Sequence, residues 1–169
     1  HQSSKVRFAT ACYGVLNCRT LKLTMSRAGH PYPLIVRADG SHEWVEADGG
    51  LLGVFPDEVF EPITVQLRER DRVILYSDGF EVAFPPDPRN PPRNDPRNAG
   101  GNSLGNAAGN DADDDPPHHR YRDELIRLGE GTLDEAYDRL TRQLDAQVGS
   151  LHQIDDLTAV VMDVGAADE

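Results

Sequence analysis

The chain has 169 residues, 38% of them hydrophobic, which is enough for one modest core. Its formal net charge of −12 argues against nucleic acid or an anionic membrane surface as a partner, since both attract Lys/Arg-rich faces. No apolar run reaches transmembrane length, and no basic-then-apolar leader is seen, so a cytoplasmic setting is expected.

From His1 to about Phe84 the sequence reads as a series of strands. Arg7–Leu16 is rich in β-formers without a helical period, and Leu21–Met25 alternates apolar and polar residues across a turn at Asn17–Thr20. The pair predicts a hairpin. Pro33–Arg37 is a third strand, and Ala38–Ser41 turns the chain into a fourth at His42–Val45. Val59–Leu67 is a fifth, with Pro62 favouring a sheet edge or a bulge. Asp71–Tyr76 is the most apolar strand and is expected at the centre of a sheet. Cys12 and Cys18 match neither a zinc spacing nor a disulfide framework, so both are expected as free, buried thiols.

The stretch from about 85 to 119 is low in complexity, with Pro-Arg-Asn three times at a spacing of four and a run of aspartates before Pro116-Pro117. It has almost nothing apolar to bury, and so predicts a disordered insertion. His118-His119 is an adjacent pair without defined ligand geometry. Asp123–Leu128 then predicts a short helix stopped by Gly129. Thr132 and Glu135 have the spacing of a capping box for a second helix. Leu133, Ala136, Tyr137, Leu140, Leu144 and Val148 recur at helical spacing as its apolar face, and Gly149 ends it. After a loop at Ser150–Ile154, Leu157–Met162 is the last strand.

Two features bear chemistry. Ile74-Leu75-Tyr76 ends on Ser77-Asp78-Gly79, and Asp155-Asp156 opens the last strand. Carboxylates at the ends of buried strands offer a hard divalent cation rigid oxygen ligands, which points to metal-assisted hydrolysis. Aspartates also end strands for purely structural reasons. Gly79 is read as the residue that permits the tight turn after Asp78. His30, in a Gly-His-Pro turn, is read as structural; Arg27 and Arg37 as solvated; Trp44 and Tyr76 as packing residues; Cys12 as a core thiol.

Four motifs in order carry a resemblance: Ala28-Gly29-His30-Pro31 with Pro33–Arg37 and Asp39-Gly40; Leu51-Leu52-Gly53-Val54; Asp71–Glu81; and Asp155-Asp156-Leu157-Thr158. The chain resembles the PPM-type metal-dependent Ser/Thr protein phosphatases, in the branch typified by the stage II sporulation protein E phosphatase domain. The resemblance implies an α+β fold, a β-sandwich of antiparallel sheets flanked by helices. It implies hydrolysis of phosphoserine or phosphothreonine by metal-activated water, with two Mn²⁺ or Mg²⁺ ions. Asp78 and Asp155 match metal-ligand positions, and Asp156 is adjacent with a lesser claim. The implied substrate is a phosphorylated regulatory protein of the anti-anti-sigma-factor type, and an upstream sensor or receiver domain is expected in the parent chain.

The family's N-terminal Asp-Gly-His-Gly-type motif, which bridges the metals, is absent from this sequence. The chain is therefore expected to be the C-terminal part of one domain, spanning 1–169 and incomplete at its N-terminus. By itself it is expected to be inactive, with an open sheet edge or exposed apolar face. A non-catalytic binding or scaffolding module of the same fold is the alternative, and an unrelated metal-binding sandwich a third.

Overall fold

The computed structural model describes residues 7–85, 120–147 and 156–165. The expected insertion from 86 onward, Val148, Gly149, the loop at Ser150–Ile154 and Asp155 lie outside the described residues.

The predicted hairpin forms from β1 (Ala11–Asn17) and β2 (Lys22–Ala28), in a register that pairs Ala11 with Ala28 and Asn17 with Lys22. The turn is set by Asn17, whose side-chain oxygen accepts from the backbone N–H of Arg19 and Thr20 at 3.1 and 3.0 Å. β5 (Ile63–Gln66) joins the other side of β2, giving a three-stranded antiparallel sheet in the order β1-β2-β5. β5 is shorter than predicted, starting just after Pro62, and it lies at a sheet edge, one of the two placements that Pro62 favours. β1 is the other edge, with Tyr13 and Val15 on it 72% and 55% exposed.

The second sheet has the order β4-β3-β6-β7, from β3 (Leu34–Val36), β4 (His42–Trp44), β6 (Arg72–Tyr76) and β7 (Ala159–Asp163), all antiparallel. β6 is central, flanked by β3 and β7, and both of its faces are covered. That is why it reads as a continuous apolar run rather than as an alternation. Successive side chains go to opposite layers. Ile35 and Val73 meet Leu23 and Met25 of the first sheet, with Val45, Leu67 and Val164. Leu34, Val36, Ile74 and Tyr76 face the other way, into a helical layer.

That layer holds α1 (Gly79–Ala83), α2 (Arg120–Leu128) and α3 (Leu133–Gln147). Phe80, Phe84 and Leu125 are fully buried in it. Trp44 and Tyr76 pack edge to face at 5.9 Å, and Tyr76 meets Phe80 likewise, so the reading of both as packing residues holds. Burial pushes the Tyr76 phenol well above its ordinary value. Gly129 ends α2, donating to the Ile126 carbonyl at 2.8 Å, and Arg72 caps the same terminus through the Leu128 and Gly131 carbonyls at 2.7 and 3.2 Å. Arg72 also pairs with Asp163 across β6 and β7.

The sequence reading needs correction at several points. α1 was not foreseen: its five residues are too few for a helical period to register. In α3, Ala136 is buried and Leu140 and Leu144 are partly buried, whereas Leu133 and Tyr137 are exposed, so the apolar face is narrower than its spacing suggested. Cys18 is exposed, because it falls in the hairpin turn, and Cys12 is partly buried.

Candidate metal centre

β6 stops where the chain must leave the sheet to bury Phe80. Ser77 follows the strand, and Asp78 occupies the N-cap of α1 with an exposed side chain that makes no capping hydrogen bond. Phe80 and Glu81 donate their backbone N–H groups to the Ser77 and Asp78 carbonyls at 3.2 and 2.9 Å, which fixes the corner. With Phe80 fully buried on one side of this turn, Asp78 is left at the surface.

The corner is clasped to the segment that leads into β7. Ser77 N–H donates to the Thr158 carbonyl at 2.9 Å, and Thr158 N–H donates to Ser77 Oγ at 3.0 Å. Ser77 Oγ in turn donates to the Asp156 carbonyl at 3.0 Å. Gly79 closes the contact. A Cβ there would lie 2.3 Å from the Asp156 carbonyl oxygen and 3.1 Å from Leu157 Cα. The backbone of Asp156 therefore sits against the Asp78-Gly79 peptide, and the Asp156 side chain is exposed. Asp155 lies outside the described residues.

His30 follows two residues after the end of β2. Its backbone turn depends on Gly29, at φ +62°, whose N–H donates to the Gly49 carbonyl at 3.0 Å and whose missing Cβ leaves room for Leu51. The imidazole is partly buried, with Nδ1 3.4 Å from Thr10 Oγ1. Burial pushes its pKa below the ordinary value, the Asp78 carboxylate pulls it up, and the Arg27 guanidinium pushes it down. Burial likewise pushes the Cys12 thiol up, against a smaller opposing pull from Arg27. A raised thiol is a poor nucleophile, which suits a core role for Cys12.

The two arginines are not solvated, contrary to the sequence reading. Arg27 donates through Nε to the Ala47 carbonyl at 2.6 Å and through Nη1 to the His30 carbonyl at 2.8 Å, and it stacks on Tyr32 at 4.4 Å. Arg37 pairs with Asp71 and Glu43, at 2.6 Å each. Asp71 is almost fully buried and also accepts the Arg68 N–H at 2.7 Å. Both arginines thus satisfy loop carbonyls or a buried carboxylate that the sequence gives no local sign of.

A family model for stage II sporulation protein E (SpoIIE) matches residues 1–165. The chain belongs to the SpoIIE family. The SpoIIE phosphatase domain from Bacillus subtilis (Mn presoaked) superposes with a TM-score of 0.56 at 16% identity, covering 95% of this chain and 58% of that one. The RsbU and RsbW domains of a Mycobacterium tuberculosis protein give 0.57 at 23% identity, over 96% of this chain and 38% of that one. A B. subtilis structure with the SpoIIE PP2C phosphatase domain and a fragment of its regulatory domain gives 0.58 at 18% identity, over 95% and 39%. No curated protein matches the chain. The fold is therefore the α+β, PP2C-like fold of SpoIIE phosphatase domains, as the motifs implied, and this chain spans just over half of the first of them.

Within this SpoIIE-family fold the oxygen chemistry of the corner suits a hard cation. Asp78 offers an exposed carboxylate that its helix does not use. Among the described residues no three His, Cys, Asp or Glu side chains cluster closely enough to hold an ion. His118-His119 lies outside them.

Proposed function

We propose that this chain is the C-terminal part of a cytoplasmic, Mn²⁺- or Mg²⁺-dependent phosphatase domain that hydrolyses phosphoserine or phosphothreonine on a regulatory protein. One observation carries the reading. The Ser77–Gly79 corner is clasped to Asp156–Thr158, so two acidic segments distant in sequence meet at one end of the four-stranded sheet. Asp78 and Asp155 would hold the cation, with Asp156 adjacent and Gly79 allowing the close approach. A divalent pair supplies Lewis acidity, lowers the pKa of water and neutralises phosphoryl charge. The protein's own part is to present rigid carboxylates: β6 and β7 fix the backbone, and the Ser77 hydroxyl locks the two segments together. Family membership and the fold shared with SpoIIE phosphatase domains support the reaction class. The solved neighbour that carries RsbU and RsbW domains supports a regulatory protein as partner; the anti-anti-sigma-factor type rests on the motif resemblance.

The chain spans 58% of the B. subtilis domain, and its described residues hold no three-ligand cluster. Activity is thus expected of the polypeptide with its natural flanking sequence, and little of this chain alone. The test measures Mn²⁺-dependent phosphate release from a phosphoserine protein by that polypeptide. Loss of even a group supporting a metal ligand costs roughly 10–100-fold, so Asp78→Asn and Asp155→Ala should each lower the rate at least that much. Equal rates in all three proteins would remove both carboxylates from the site. Mn²⁺ binding without any phosphate release would favour the non-catalytic module of the same fold.

A further inference from the structure

We draw no further inference here: the strongest candidate, the groove at the Arg72 end of β6 lined by Arg37, Arg70, Arg72, Glu130 and Asp163, carries nothing, because Arg37 and Arg72 are committed to Asp71, Glu43, Asp163 and the Leu128 and Gly131 carbonyls, and the exposed Arg70 alone selects no ligand beside two carboxylates.

Discussion

Gly79 has no side chain because there is no room for one. A Cβ would press on the Asp156 carbonyl oxygen at 2.3 Å, and backbone on both sides leaves no flexible group to yield. Gly79→Ala must therefore part β6 from the approach to β7 or strain the start of α1. Overpacking of this kind costs roughly 1–3 kcal/mol. Urea unfolding should show that loss, while Gly165→Ala, where nothing lies within 4 Å, should leave the midpoint unchanged. An unaltered midpoint in Gly79→Ala would mean that the two segments are not packed as described. Single residues were legible to different degrees. Asp78 and Gly79 announce themselves because an apolar strand stops on them. His30, Arg27 and Arg37 do not, since their side chains meet Thr10, Ala47 and Asp71, and nothing in their own neighbourhood points to those positions.

Elements whose signals are local were read well. The capping box of α3 is present in both directions: Glu135 N–H donates to Thr132 Oγ1 at 3.2 Å, and Thr132 N–H donates to Glu135 Oε2 at 2.9 Å. The Thr132 backbone N–H first, and then its hydroxyl, hold the Glu135 carboxyl below its usual range. Its contribution is therefore present above the ordinary carboxylate pKa and is lost as pH falls through the depressed value. Thr132→Ala removes the hydroxyl acceptor and should cost about 1 kcal/mol, read as a lower urea midpoint with an unchanged slope. No change would show that α3 is held by its packing alone. Packing is where the sequence misled. Leu133 and Tyr137 have helical spacing but stand on the solvent side, because the layer beneath is filled by Phe80, Phe84 and Leu125 and meets α3 chiefly at Ala136, Leu140 and Leu144. A period says which residues share a face, and the neighbouring layers decide how wide a stripe is covered.

The two sheets and the helical layer put one end of β6 at Asp78 and the other at the Arg72–Asp163 pair, so the acidic corner is rooted in the central strand of the larger sheet. This architecture was legible because each strand carries its own pattern and the motifs occur in family order; the meeting of the corner with residues 156–158 was implied by the resemblance and not by the strand patterns themselves, since it depends on β6 pairing with β7 across some eighty residues. A cation bound there couples to the stability of the whole fold, because the unfolded chain separates its ligands. At a hundredfold excess over its dissociation constant, an ion binding the folded state stabilises it by about 2.7 kcal/mol. For a domain of this size that is a melting shift of roughly 5–10 °C. With a net charge of −12, however, any divalent salt relieves self-repulsion and raises the melting temperature somewhat. The informative quantity is the difference between wild type and Asp78→Asn at equal ionic strength, in the polypeptide with its natural flanks. Screening acts almost equally on both, since one charge in the total hardly alters it, whereas site binding is lost with the ligand. Mn²⁺ should therefore raise the wild-type melting temperature several degrees more than that of Asp78→Asn. Identical shifts would mean that the acidic surface as a whole, and not this corner, attracts the ion.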